Sequence, residues 1–192
     1  AIEVTSAQTL GGADAAKYTV TLPTALSADI TPKELTIASA VAANKEYDGT
    51  YNATITGTLN GIVGADVVTF NGIGGFETLD AANGINVFSI STLGGAQAGN
   101  YTLTQPIGLT ANITPKDLTI IGAVANNKVY DGTTTATING STLIGVIGFD
   151  DVTVVGTGTL ASKNVANGIE VTATLTLAGT NAANYTLLTQ PT

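Results

Sequence analysis

The 192-residue chain is aliphatic and acidic: 44% of its residues are hydrophobic, 10% are charged, and the net charge is −8. Its basic residues are six lysines that form no basic patch, and no apolar run approaches the length of a membrane span. Nucleic-acid binding and membrane insertion are therefore not expected. Cysteine and histidine are absent, which excludes disulfides, thiolate metal sites and the usual general base near neutral pH.

The chain repeats itself, and this repeat is a better guide to its organisation than any short motif. ITPKELTIASAVAANKEYDG (30–49) returns as ITPKDLTIIGAVANNKVYDG (113–132). Similar endings, each with a tyrosine followed by threonine, recur at 10–20, 93–103 and 177–187. These matches predict an array of homologous units.

Three segments follow from the matches. The leading segment, residues 1–29, corresponds to the C-terminal part of a preceding repeat. The first repeat, residues 30–112, is a complete β repeat, and the second repeat, residues 113–192, lacks the counterpart of the last segment, 108–112. We therefore expect the chain to be a window on a longer array.

The predicted elements are short strands separated by turns. Alternation of apolar and polar residues indicates strands, and Asp-Gly or Asn-Gly pairs indicate turns. The strand signals lie at 35–41, 68–70, 118–124, 152–154 and 169–177, and the turn signals at 48–49, 83–84, 131–132 and 167–168. Each complete repeat then holds roughly six to eight strands. This pattern predicts an all-β fold of tandem immunoglobulin-like β-sandwich repeats in an elongated array, with β-grasp-like modules as the alternative.

A recurring tyrosine sharpens this prediction. Tyr18, Tyr101 and Tyr185 each follow a short polar link before a strand. In immunoglobulin-like sandwiches a tyrosine at such a corner donates its hydroxyl to backbone a few residues upstream. We therefore expect these tyrosines to be elements of the fold.

The repeated motifs also resemble a known family. Asn44-Lys-Glu-Tyr-Asp-Gly-Thr50, Asn127-Lys-Val-Tyr-Asp-Gly-Thr133 and the Ile-Thr-Pro-Lys junctions at 30–33 and 113–116 are similar to YDG-type tandem repeats of large bacterial adhesins and filamentous haemagglutinin-like exoproteins. The resemblance implies an extracellular location on the bacterial cell surface and a role in adhesion or extension. It implies no catalytic residues and no ligand site.

Two features of the sequence are candidate binding sites. The Tyr-Asp-Gly segments at 47–49 and 130–132 are interpreted as turns whose glycine has a positive φ beside a packed tyrosine, rather than as binding loops. Asp66, Asp150 and Asp151 offer oxygens to calcium, but without a dense run of ligands we interpret them as solvated acids.

Two further features are candidates for a covalent cross-link and for a phosphate-binding loop. Lys33, Lys45, Lys116 and Lys128 recur in pairs, and a lysine–asparagine cross-link would require burial of the lysine, so a surface position is the default. Residues 72–75 are glycine-rich without the context of a phosphate loop, and we interpret them as a bulge or loop. No catalytic, cofactor-binding or metal-binding residue, and no cofactor, is predicted.

The function predicted from these observations is structural, not enzymatic. The chain is expected to supply stalk or spacer repeats of a secreted bacterial adhesin, with neighbouring repeats of the same chain as partners. One alternative is a self-assembling extracellular fibre subunit in which one copy completes another by strand addition. The other is a repeat module that binds a surface glycan or a host or matrix protein.

Overall fold

The computed structural model describes residues 2–191, which form an almost entirely β protein. The helical residues are three single turns of 3₁₀ helix, Ala15–Lys17, Ala98–Asn100 and Ala182–Asn184. The strands are β1 (Ile2–Val4), β2 (Leu26–Ala28), β3 (Lys33–Ala42), β4 (Lys45–Glu46), β5 (Asn52–Asn60), β6 (Thr69–Asn71), β7 (Ile73–Phe76), β8 (Ala82–Ser89), β9 (Thr92–Gly94), β10 (Tyr101–Thr104), β11 (Leu109–Thr114), β12 (Lys116–Ile121), β13 (Val124–Ala125), β14 (Thr135–Ala136), β15 (Ile138–Asn139), β16 (Thr142–Ile144), β17 (Thr153–Leu160), β18 (Val171–Ala178) and β19 (Tyr185–Leu187). The all-β prediction is confirmed, and the immunoglobulin-like sandwich stays a prediction.

The two repeats share one pattern of strand pairing. In the first repeat, β3 pairs antiparallel with β5 and parallel with β10. In the second, β12 pairs antiparallel with β16 and parallel with β19. The strand that begins at the recurring tyrosine, Tyr101 or Tyr185, therefore lies beside the first strand of its own repeat in both cases.

The last strand of the first repeat closes that repeat. β11 pairs antiparallel with β8 and parallel with β4 in the sheet ordered β10-β3-β5-β7-β8-β11-β4. Its inward residues Leu109, Ala111 and Ile113 are buried. This strand thus links β8 to β4 in the sheet and contributes apolar side chains to the core of the first repeat.

The leading segment contains the same strand pair in isolation. β1 pairs antiparallel with β2, with Val4 opposite Leu26. In the first repeat Val87 lies opposite Leu109 in the corresponding positions. Residues 2–28 therefore reproduce the register of β8 and β11, although both β1 and β2 are exposed.

Residues 72–75 were predicted to be a bulge or loop, and that prediction is wrong for 73–75, whereas Gly72 lies between two strands. Residues 73–76 form β7, between β5 and β8. A Cβ atom at Gly72 would lie 1.8 Å from the carbonyl oxygen of Ile55, and one at Gly74 would lie 2.6 Å from that of Phe88. The glycines are required because backbone approaches backbone here, which leaves no room for a side chain.

The junction between the repeats contains almost no linker. β11 ends at Thr114, β12 begins at Lys116, and only Pro115 separates them. The residue before a proline is restricted to extended conformations, which continues the strand direction. The core also crosses the junction, because Leu118 and Tyr185 of the second repeat join the buried cluster of the first.

Candidate functional site at the junction of the two repeats

Each Tyr-Asp-Gly segment is a turn held by its own aspartate. Asp48 Oδ1 accepts hydrogen bonds from the Thr50 amide and hydroxyl, both at 2.9 Å, and forms an ion pair with Lys45 Nζ at 2.7 Å. Gly49 has φ of +70°, as predicted for this turn. The same bonds link Asp131 to Thr133 and Lys128, at 2.9 and 2.7 Å.

These contacts favour the charged form of both carboxyls. Hydrogen bonds from Lys128 and Thr133 lower the pKa of Asp131 to about 2. Burial opposes ionisation of Asp48, but hydrogen bonds from Lys45 and Thr50 outweigh it and lower its pKa. Both turns are therefore fastened by a charged aspartate at neutral pH.

The turn of the first repeat directs Tyr47 onto the second repeat. The Tyr47 hydroxyl donates to Asp150 Oδ2 at 2.8 Å, and the same oxygen accepts from the Tyr185 hydroxyl at 2.6 Å. The two rings meet edge to face with their centroids 5.3 Å apart. One carboxylate thus binds a tyrosine from each repeat, in the arrangement that aromatic pairs prefer.

Tyr185 is also fixed from the other side. Its hydroxyl oxygen accepts a hydrogen bond from the Ile147 amide at 2.9 Å. Tyr101 has the same surroundings in the first repeat: it donates to Asp66 at 2.6 Å and accepts from the Val63 amide at 3.0 Å. Each repeat therefore presents a preformed tyrosine–aspartate pair.

Burial and the nearby carboxylate hold both junction tyrosines in the protonated form. Burial, followed by the hydrogen bond to Asp150, raises the pKa of Tyr47 to about 12. The same two causes raise the pKa of Tyr185 to about 12. Neither hydroxyl loses its proton until the pH is well above that at which an exposed tyrosine ionises.

An asparagine completes this site. The Asn184 Oδ1 accepts from the Ala81 amide at 2.8 Å, and its Nδ2 donates to Asp80 Oδ1 at 3.0 Å. Asn184 is only 2% exposed. At the rim, Lys116 Nζ lies 2.8 Å from Glu46 Oε1. We call Tyr47, Asp80, Asp150, Asn184 and Tyr185 the junction site.

The chain matches a known family over both repeats. The YDG domain covers residues 31–108 and 114–192. The chain belongs to the YDG domain family. Comparison with curated proteins and with solved structures gives no match. Within residues 2–191, no helix of the YDG repeats has the length and hydropathy that would take it across a membrane.

The two YDG repeats differ in what their shared residues contact. Tyr47 is 4% exposed in the junction site, whereas its counterpart Tyr130 is 61% exposed. Asn184 is buried there, whereas its counterpart Asn100 is exposed. A YDG repeat thus carries one half of a junction site at each end, and burial of the turn tyrosine and of the asparagine depends on a neighbour.

The tyrosine-corner prediction needs a correction. Tyr101 and Tyr185 are buried, but their hydroxyls contact the backbone of Val63 and Ile147, far upstream in sequence, and not backbone a few residues away. Tyr18 in the leading segment is 71% exposed. These tyrosines therefore connect a distant loop to the strand they open.

The other candidate residues of the sequence bind protein groups. Asp66 and Asp150 bind tyrosines rather than solvent alone, and Asp151 Oδ2 accepts from the Thr180 amide at 3.0 Å. Among residues 2–191, no group of three or more acids is placed to hold a metal ion. Lys45 and Lys128 belong to the YDG turns.

Asn184 gives a matched test of the junction site. Asn184→Ala should lower the free energy of unfolding by about 1–3 kcal/mol, because the Ala81 amide loses its acceptor in a buried setting. Asn100→Ala, the same change at the exposed counterpart, should stay within about 0.5 kcal/mol of the parent. Urea unfolding measures both. Equal losses of unfolding free energy in the two variants would show that contacts across the junction do not account for the contribution of Asn184 to stability.

The raised tyrosine pKa values predict alkaline sensitivity. A group with a higher pKa in the folded state stabilises it below the unfolded pKa, and that stabilisation is lost as pH rises through the folded value. The free energy of unfolding should therefore fall between about pH 10 and pH 12. Tyr47→Phe should make this fall shallower, and Tyr130→Phe should not. An identical slope in all three proteins, measured by denaturant titration at each pH, would contradict this assignment.

Proposed function

We propose that the chain supplies structural stalk repeats of a secreted bacterial surface adhesin, and that these repeats hold an adhesive region away from the cell. The repeats act as immunoglobulin-like modules in an elongated array outside the cell. Their task is extension and resistance to bending, and no chemistry is required of them. The resemblance of the YDG motifs to adhesin repeats supports the extracellular setting.

The junction site is the observation that carries this proposal. A stalk must keep its units aligned, and flexible linkers between domains allow them to reorient. Here a single residue, Pro115, separates the two strands, and the side chains of Tyr47 and Asn184 make hydrogen bonds across the junction. The short connection and these side-chain contacts together oppose bending.

The positions of the recurring tyrosines also favour a structural role over ligand binding. A carbohydrate- or protein-binding module would be expected to expose its aromatic side chains in a cluster. Tyr47, Tyr101 and Tyr185 are instead buried, with their hydroxyls hydrogen-bonded to protein groups, whereas their counterparts Tyr130 and Tyr18 are exposed. The residues that the repeats share therefore build the units and their junction.

Small-angle scattering tests the stalk at concentrations where the chain is monomeric. A strand of ten residues spans roughly 33 Å, so two aligned repeats with the leading segment should have a maximum dimension of roughly 80–100 Å. A compact globular protein of 192 residues would have a radius of gyration of about 16 Å. A measured radius of gyration near that value would contradict the proposal.

A variant pair shows whether the junction site sets the alignment. The double substitution Tyr47→Ala and Asn184→Ala should broaden the distribution of interatomic distances, because only the strand junction then restrains bending. The matched change, Tyr130→Ala and Asn100→Ala, should leave the distribution as it is. If the first variant scatters like the parent, the junction site does not align the repeats.

A further inference from the structure

The first repeat has an apolar outer surface that the second repeat lacks. At four positions where the second repeat has threonine it has isoleucine or phenylalanine, and at a fifth position it has glycine. The four residues, which we call the apolar face, are Ile73, Phe88, Ile90 and Ile107, and the glycine is Gly75. Their counterparts, in the same order, are Thr157, Thr172, Thr174, Thr192 and Thr159. Residues that both repeats share build the fold, so residues that distinguish one repeat point to a contact made by that repeat.

The apolar face is exposed although the other side of its strands already covers the core. Phe76 of β7 and Val87 of β8 are buried, and strand alternation directs their neighbours outward. Phe88 and Ile90 are 61% and 63% exposed, and Ile73 is 38% exposed. These strands thus carry apolar side chains on both sides, which is typical of a sheet that is covered on both sides.

Neither neighbouring repeat covers this side of a unit. Phe88 and Ile90 are exposed although the second repeat follows the first in the chain. Thr172 and Thr174, at the same positions of the second repeat, are exposed although the first repeat precedes them. The apolar face therefore lies along the side of the array, away from the junction at either end of a unit.

A glycine beside Phe88 leaves its ring uncovered. Gly75 lies opposite Phe88 in the pairing of β7 with β8. A Cβ atom at Gly75 would meet the carbonyl oxygen of Tyr51 at 3.9 Å, which is an ordinary contact distance. The fold therefore admits a side chain at this position, as Thr159 of the second repeat shows, and glycine leaves open surface next to the ring.

Ile107 is held in solvent by a loop that is anchored beside it. Gln105 Oε1 accepts from the Ser91 amide at 3.0 Å, and its Nε2 donates to the Ser91 carbonyl at 2.8 Å. Gln190 binds the backbone of Leu175 in the same way in the second repeat. The anchor is thus part of the fold, whereas the isoleucine that it presents, which is 93% exposed, is specific to the first repeat.

The chemistry of the apolar face favours an uncharged apolar protein surface as its partner. Isoleucine and phenylalanine side chains form no conventional hydrogen bonds, so they lack the groups with which threonine could recognise a glycan. Phe88, Pro106 and Ile107 line a cleft of about 270 Å³, which gives room for an apolar side chain. The strands β5, β7, β8 and β11 contain no charged residue, so charge does not select the partner.

A second copy of the chain presents such a surface. Copies with a net charge of −8 repel one another where their acidic groups meet. The strands β5, β7, β8 and β11 carry no acidic group, so two copies can approach there without opposing charges. Sheets bury apolar faces against other sheets, and a two-fold axis brings the same face of both copies together.

We infer that the apolar face of the first repeat packs against the same face of a second copy, which pairs the chains side by side. Four side chains supply less apolar area than the roughly 800 Å² per partner of a stable dimer, so the pairing of two such chains is weak and reversible. Several such faces acting together in a longer array would strengthen it. This inference goes beyond the proposed stalk and does not depend on the junction site.

Sedimentation velocity over a wide range of concentration tests the pairing with the whole chain. The parent should change from monomer to dimer as its concentration rises, and added salt should favour the dimer because salt screens the repulsion between acidic chains. The face variant carries the threonines of the second repeat: Ile73→Thr, Phe88→Thr, Ile90→Thr and Ile107→Thr. Its dimer should be at least about tenfold weaker than that of the parent.

A control variant changes four apolar residues that are more than half exposed and lie outside the apolar face. Its substitutions are Val41→Thr, Val67→Thr, Ile121→Thr and Phe149→Thr, and it should dimerise like the parent. Far-UV circular dichroism checks that each variant folds. The single variants Phe88→Thr and Phe149→Thr give the same comparison with less change to the chain.

Three results would overturn the inference. The first is a parent that stays monomeric up to about 1 mM, which is weaker than any contact that would pair the chains. The second is a face variant that dimerises as well as the parent, or a control variant that loses as much affinity as the face variant. The third is a dimer that weakens as salt is added, because that dependence indicates ion pairs rather than apolar contact.

Discussion

The structure depends on one carboxylate that two tyrosines share. Asp150 Oδ2 accepts the hydroxyls of Tyr47, from the first repeat, and Tyr185, from the second. A charged acceptor makes stronger hydrogen bonds than a neutral one, and burial of the rings beside it limits competition from water. The relative placement of the repeats is therefore set by groups that can be satisfied in few other arrangements.

This constraint explains why the YDG turn recurs. The turn aspartate binds a lysine and a threonine of its own repeat, and these bonds fix the backbone that carries Tyr47. Tyr185 opens β19 beside β12, so its ring position is set by the first strand of its repeat. Local turn chemistry in one unit and sheet pairing in the next thus converge on Asp150.

Much of the fold could be predicted from the sequence, because alternation and Asp-Gly or Asn-Gly pairs report local structure. The strand predicted at 169–177 lies largely in β18, and the turn glycines have the positive φ expected. The prediction of a bulge or loop at 72–75 was wrong for 73–75 because glycine is typical both of loops and of strands whose backbones approach closely. Only the packing against Ile55 distinguishes the two cases.

The junction site could not be predicted by considering the sequence of one repeat at a time. Tyr47 and Asp150 lie far apart in sequence, and each looks like an ordinary turn or loop residue in its own unit. The available signal was that Tyr47 and Asp150 both have counterparts, Tyr130 and Asp66, in the other repeat. Recurrence marked them as important to the unit, but only the arrangement of two units in space shows that they meet.

A double-mutant cycle between Tyr47→Phe and Asp150→Asn tests the central claim most directly. The two substitutions should be strongly non-additive, with a coupling free energy of about 1–3 kcal/mol, because Tyr47→Phe removes the donor and Asp150→Asn removes the charge of the acceptor in the same charge-assisted hydrogen bond. The cycle of Tyr130→Phe with Asp150→Asn should be additive within about 0.5 kcal/mol. Additivity in the Tyr47 cycle would mean that the shared carboxylate does not hold the repeats together.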